Sequence, residues 1–96
     1  MIQSFADATT RDIYDVVEGK AARRIPKALW PVVRRKLDAL QAATSTEDLK
    51  NIPGNRFEAL KGDLTGRYSI RINRQYRLTF RFECGHALDV RCEDYH

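Results

Sequence analysis

Arg67-Tyr68-Ser69-Ile70-Arg71-Ile72-Asn73-Arg74-Gln75-Tyr76-Arg77-Leu78-Thr79-Phe80-Arg81 alternates apolar and polar residues on both sides of a short polar break. Alternation with a period of two is the pattern of a half-buried strand, so the stretch predicts a two-stranded hairpin. Its faces match in one way. A two-residue turn at Asn73-Arg74 would set Ile70 opposite Arg77 and mix apolar with basic side chains. A three-residue connection, Asn73-Arg74-Gln75, pairs Ile72 with Tyr76, Ile70 with Leu78 and Tyr68 with Phe80. The same register sets Arg71 against Arg77 and Arg67 against Arg81, so four arginines share one face and the core lies on the other.

Like charges on adjacent strands repel, and a fold tolerates them when acids interleave or when an anion is meant to sit there. The next segment, Ala87-Leu88-Asp89-Val90-Arg91-Cys92, alternates as well, after a turn around Gly85. Asp89, Arg91 and Glu93 would share its polar face and partly neutralise the arginines, which keeps a salt-bridged solvent face open as a reading. Cys92 is expected to be buried on the Leu88/Val90 face.

Upstream, the pattern is helical. Met1–Phe5 has the character of a short strand, and Asp7 suits the N-cap of a helix running to about Glu18, with Gly19 ending it. Leu29, Trp30, Val33, Leu37 and Leu40 recur at helical spacing, predicting a longer helix over about 26–43 that is kinked at Pro31 or begins there. Ser45 and Asp48 form a capping-box pattern for one more short turn, and 51–55 reads as a loop. No linker divides the chain, so residues 1–96 are expected to form one domain of α+β class.

Composition narrows the function classes. A hydrophobic content of 43% supports a single core. No apolar run approaches the roughly 20 residues of a membrane span, and the first residues lack the pattern of a signal peptide. Two cysteines are too few for a disulfide scaffold. A soluble, cytoplasmic protein without membrane association is expected. The net charge of +4 is unevenly spread: seven cations and no acid between Gly19 and Leu37, and five arginines and no acid between Leu64 and Phe82. Such stretches suit a polyanionic partner, and arginine suits bidentate phosphate contacts.

Cys84, His86, Cys92 and His96 offer metal-ligand types, but Cys92 lies six residues along a strand from His86, about 20 Å at ~3.3 Å per residue, far beyond a ~2 Å coordination sphere. No metal or other cofactor is expected. The hydrolase elbow G-x-S-x-G, the P-loop and dinucleotide glycine patterns are all missing from the sequence. What remains is Glu58 and Lys61, the arginine face, and the last three residues, Asp94-Tyr95-His96. Cleaving RNA without a metal needs a base for the 2′-hydroxyl proton, an acid for the leaving 5′-oxygen and cations for the charge on phosphorus. A His, carboxylates, a Lys and several Arg supply that inventory, and Tyr95 can stack on a base.

On these residues the chain resembles the HigB toxins of the RelE superfamily, ribosome-dependent mRNA interferases of toxin–antitoxin pairs. The resemblance runs through Met1–Phe5, Arg24-Ile25-Pro26, Leu37-Asp38-Ala39-Leu40, Ala43-Thr44-Ser45, Leu60-Lys61-Gly62-Asp63, Tyr68–Asn73, Tyr76–Phe80 and Asp94-Tyr95-His96. It implies a compact RelE-like fold, two helices on one face of a mainly antiparallel sheet, with an RNA site on the opposite, basic face. It also implies His96 as general base, Asp94 orienting it or sharing proton transfer, Tyr95 against a base, and Arg77 and Lys61 stabilising the transition state. Arg67, Arg71 and Arg81 would bind RNA. Glu58 stands where some members carry a catalytic His, and Tyr76 where Trp is common; a carboxylate serves as acid only with a raised pKa. The implied products are a 2′,3′-cyclic phosphate and a 5′-hydroxyl.

The partners implied are the ribosome with its mRNA and a cognate helix-turn-helix, HigA-like antitoxin, with operator DNA reached only through that antitoxin. A reading from another class is a non-catalytic module of the same fold that docks RNA or an acidic antitoxin segment. It predicts salt-sensitive RNA binding without cleavage.

Overall fold

The structure is a computed structural model and describes residues 1–94. Asp7 caps the first helix, α1 (Ala8–Tyr14), accepting from the Thr10 amide at 2.9 Å. That helix stops short of Glu18, where the sequence pattern placed its end. The Val16 amide donates to the Ile13 carbonyl at 3.3 Å and the Val17 amide to the Asp12 carbonyl at 2.8 Å, with Val16 at a φ of 60°. This is the Schellman arrangement, and it closes the helix before Gly19 is reached.

Pro31 sits at the first turn of α2 (Trp30–Ala42), where its missing N–H costs nothing, and a 3-10 turn at Lys27–Leu29 leads into it. Trp30, Val33, Leu37 and Leu40 bury the apolar stripe. The capping box forms at α3 (Thr46–Lys50), with Ser45 and Asp48 reciprocating.

Four antiparallel strands follow in sequence order across the sheet: β1 (Glu58–Ala59), β2 (Arg67–Arg71), β3 (Tyr76–Glu83) and β4 (His86–Asp94). The β2–β3 register is the one the face-matching argument requires, with Arg67 opposite Arg81, Tyr68 opposite Phe80, Ile70 opposite Leu78 and Arg71 opposite Arg77. The Asn73 side chain closes the connection by accepting from the amides of Gln75 at 2.9 Å and Tyr76 at 2.8 Å. Cys84 and Gly85, at φ of 52° and 80°, form the two-residue turn between β3 and β4. Two residues of positive φ match the twist of an antiparallel pair.

A bulge changes β4. Thr79 lies opposite Arg91, but Arg81 lies opposite Leu88, so β4 carries one extra residue, with Asp89 at a φ of 53°. The extra residue shifts the side-chain phase. Ala87, Val90 and Cys92 therefore face the core, and Leu88 does not share their face as simple alternation predicts. The segment Met1–Phe5 makes two parallel bridges to β4, Ile2 with Ala87 and Phe5 with Val90, and covers what would be an open edge. The Asp89 amide at the bulge donates to Ser4 Oγ at 2.9 Å.

Ile70, Leu78, Phe80, Val90 and Cys92 from the sheet meet Ile13, Val33, Leu37, Leu40 and Leu49 from the helices in one core. No helix among the described residues is long and apolar enough to cross a membrane. Lys36 stands apart from the other cations between Gly19 and Leu37. It is buried, and its ammonium donates to the Asn55 side-chain carbonyl, with desolvation first and Arg35 second holding its pKa below the ordinary lysine value.

Candidate functional site

Arg77 stands on the polar face of β3 yet is only 9% exposed. Its Nε donates to Ser69 Oγ at 2.8 Å and Nη2 to the Arg56 carbonyl at 2.5 Å. A buried guanidinium pinned by a neighbouring strand and a loop carbonyl has lost its rotamer freedom, which is the condition for a preorganised charge. The loop that supplies the carbonyl is itself anchored: Asn55 donates to the Leu49 carbonyl at 3.1 Å, and its own carbonyl accepts from the Arg71 amide at 2.6 Å.

Beside Arg77 opens a cleft of about 360 Å³, lined by Arg56, Arg71, Asn73, Arg74 and Arg77. Its described lining holds four guanidinium groups and no carboxylate. Forked donors converging on one concavity match the geometry of a phosphate. Sequence reasoning singled out Arg71 and Arg77 for this face and missed the other two. Arg74 lay in the acid-free stretch but in a turn, where alternation assigns no face. Arg56, at a φ of 45°, carried no signal at all, because only the folded loop brings it to the hairpin.

The other half of the polar face is neutralised. Arg81 pairs with Asp89 at 2.9 Å and Glu83 at 2.7 Å, and Arg67 Nη2 donates to the Asp89 carbonyl at 3.4 Å. Thr79 Oγ1 donates to Glu93 at 2.6 Å, and Arg91 approaches Asp7 at 3.5 Å. A second cleft of about 390 Å³ opens there among Arg67, Thr79, Asp89, Arg91 and Glu93, with both signs of charge on its walls. The salt-bridged reading of the arginine face holds at this end, while the hairpin end keeps four guanidinium groups together.

The remaining site residues divide by strand row. Asp94 lies opposite Tyr76, one row from Glu93 opposite Arg77, at the end of the sheet where the arginine cleft opens, and accepts from Gln75 Nε2 at 2.9 Å. Glu58 lies opposite Ser69, the residue that holds Arg77, and directly opposed residues share a face. Lys61 lies far from Asp94 but near Glu58. The Leu60 amide bonds the Arg67 carbonyl, so Lys61 falls one row beyond the Arg67/Arg81 row, about 20 Å along the strands from the row of Asp94 and three residues from Glu58. Tyr95 and His96 lie outside the described residues.

Comparison with known proteins decides the family. A model described as RelE-like toxin of type II toxin-antitoxin system HigB matches residues 3–96. The chain belongs to the HigB toxin family. Toxin HigB-1 of Vibrio cholerae is 43% identical over 90 residues, covering 94% of this chain and 93% of the relative. Endoribonuclease HigB of Proteus vulgaris is 31% identical over 98 residues and the whole of both chains. The fold is shared more widely. A chain of the YoeB–YefM complex from Staphylococcus aureus matches at a TM-score of 0.63 and 22% identity, covering 100% of this chain and 98% of that one. A YafQ mutant from E. coli matches at a TM-score of 0.63 and 10% identity, covering 98% and 93%.

For this HigB-family chain, the cysteines fall outside the chemistry. Cys92 is buried in the core, and burial, with Asp7 and Glu93 adding, pushes its thiol up to about 12. A thiol so held stays protonated at neutral pH and is neither nucleophile nor ready metal ligand. Cys84 is an exposed turn residue. No group of three or more metal-ligand side chains comes together among the described residues.

Proposed function

We propose that this HigB-family toxin is a metal-independent endoribonuclease that cuts mRNA on the translating ribosome and so blocks translation. The cleft of four arginines, whose described lining holds no carboxylate, carries the reading, with Asp94 and Glu58 on the strands beside it. Arg56, Arg71, Arg74 and Arg77 hold the scissile phosphate and spread the charge that grows on its oxygens during attack. His96 takes the proton of the 2′-hydroxyl, Asp94 orients His96, and Tyr95 stacks on a base. The 2′-oxygen then bonds to phosphorus and the bond to the 5′-oxygen breaks, that oxygen taking its proton from water, with Glu58 the nearest carboxylate on the neighbouring strand. The products are a 2′,3′-cyclic phosphate and a 5′-hydroxyl.

Arg67 and Lys61 lie away from the cleft and serve the flanking RNA backbone, while Arg81, engaged by Asp89 and Glu83, adds little to binding. The toxin acts in the cytoplasm and is held in check by a helix-turn-helix, HigA-like antitoxin, through which alone it reaches operator DNA.

The test is a primer-extension map of a message translated in the presence of the toxin, beside growth on induction. Discrete cuts that disappear in His96→Ala and on removal of residues 94–96 support the reading. Growth arrest that persists undiminished in both variants overturns the catalytic assignment.

A further inference from the structure

Asn55 is fully buried, and each of its four polar atoms bonds to a different part of the fold. Its amide donates to the Ile52 carbonyl at 3.3 Å, and its main-chain carbonyl accepts from the Arg71 amide at 2.6 Å. Side-chain Nδ2 donates to the Leu49 carbonyl in α3 at 3.1 Å, and Oδ1 accepts from Lys36 of α2. The next residue, Arg56, has a φ of 45°, a left-handed conformation that persists in a residue with a side chain only where the surroundings fix it. The Arg56 carbonyl in turn receives Arg77 Nη2. One buried asparagine thus bonds the backbone of Arg71, adjoins that of Arg56, and reaches the guanidinium of Arg77 through one further bond.

Lys36 is the unexpected member of this chain of bonds. Leu37 beside it, and Val33 and Leu40 three and four residues away on α2, lie in the core, so an apolar side chain at 36 would widen the same stripe. An ammonium buried against a neutral amide oxygen is a poor way to stabilise a core, because its desolvation is only partly offset. It is a good way to fix an orientation. A lysine only donates, so it selects the oxygen of the Asn55 amide and turns Nδ2 toward Leu49. A buried charge and a left-handed residue, both unfavourable by themselves, meet at the loop that holds the cleft.

We propose that Lys36 and Asn55 are positioning residues for RNA cleavage, fixing the 55–56 backbone so that the Arg56 carbonyl is presented to Arg77. Neither lines the cleft, and both act through the arginines that do. This rests on the nuclease reading of the cleft put forward above.

The test measures cleavage of translated message by the full chain as wild type, Lys36→Met, Arg77→Lys and the double variant, with rates expressed per folded molecule from urea titrations. Lys36→Met should lower kcat by about tenfold to 10²-fold, the scale of a ~1 Å misplacement from a distant substitution, and leave KM for programmed ribosomes nearly unchanged. Lys36→Gln offers both donor and acceptor and no longer selects the Asn55 oxygen. It should lower kcat in the same direction, and it serves where the methionine variant does not fold. In the Arg77→Lys background, Lys36→Met should cost no more than about twofold further, because the group it positions is already gone. A lysine that only stabilises the fold would change the folded fraction and leave the rate per folded molecule alone. Rates per folded molecule equal to wild type in both Lys36 variants therefore overturn the proposal. Equal losses with and without Arg77 also overturn it, since the two residues would then act independently. A wild-type chain that leaves translated message uncut overturns the nuclease reading itself, and this role with it.

Discussion

The guanidinium of Arg77 donates to the main-chain carbonyl of Arg56, so one cleft arginine fixes the backbone of another. With Ser69 Oγ accepting at Nε, the two bonds aim Arg77 across the hairpin rather than out along it. The contact suits the flat, forked guanidinium, whose Nε and Nη2 reach the hydroxyl and the carbonyl in fixed directions, whereas an ammonium presents one nitrogen on a flexible stem.

Arg77→Lys should therefore fail to substitute. Cleavage of translated message should fall by about 10²–10³-fold, the range for losing one preorganised donor to a developing oxyanion. Circular dichroism should show the fold retained. Cleavage within a few-fold of wild type would show that Arg77 is structural.

Two other arginines should separate by the half of the face they occupy. Arg74→Ala, in the arginine cleft, should lower cleavage and shallow the salt dependence of RNA binding. Arg81→Ala should change both little. Its charge is already engaged by Asp89 and Glu83, and exposed pairs of this kind contribute only about 0–1 kcal/mol to stability. Filter binding of a short single-stranded RNA at two salt concentrations distinguishes them.

Lys36 should leave a signature in the pH dependence of stability. Desolvation lowers its pKa in the folded state, so between that value and 10.5 the unfolded chain binds the extra proton. The cost of keeping it charged is then fully present at neutral pH and is relieved as pH rises toward 10.5. The stability of wild type relative to Lys36→Met should accordingly increase from pH 7 to pH 10 in urea titrations. The variant also leaves the buried Asn55 carbonyl without this donor, a loss of about 1–3 kcal/mol. A pH-independent difference would place the Lys36 titration outside this window.

The β3–β4 turn can be improved. Cys84 adopts a φ of 52°, which asparagine tolerates far better, and Asn-Gly is the favoured pair for a turn with two positive φ values. Cys84→Asn should raise the unfolding midpoint, by roughly 0.5–1 kcal/mol of stability. Activity should not change, since Cys84 is an exposed turn residue away from the cleft. Thermal melts with a cleavage assay on the same preparation check both.

How far these features can be read from the chain depends on how local their causes are. The hairpin register follows from the alternation over Arg67–Arg81, because a side-chain period of two leaves one pairing that keeps apolar residues together. The Asp7 cap and the Ser45–Asp48 box are likewise local, each decided within four residues. The family resemblance, too, needed only the order and spacing of short motifs, and the match over residues 3–96 agrees with it.

Tertiary structure decided the rest. The bulge at Asp89 answers to Ser4, 85 residues away, and it moves Leu88 off the core face and brings Ala87 onto it. Arg56 enters the cleft because Asn55 bonds to α2 and β2, and Lys36 turns inward to make one of those bonds. The arginine face is split because the acids of β4 reach Arg81 and Thr79, while the described lining of the hairpin cleft holds none. A strand pattern says which residues share a face. Which of their charges are neutralised is settled by groups distant in sequence, since electrostatic pairing acts over the few ångströms between side chains and not along the chain.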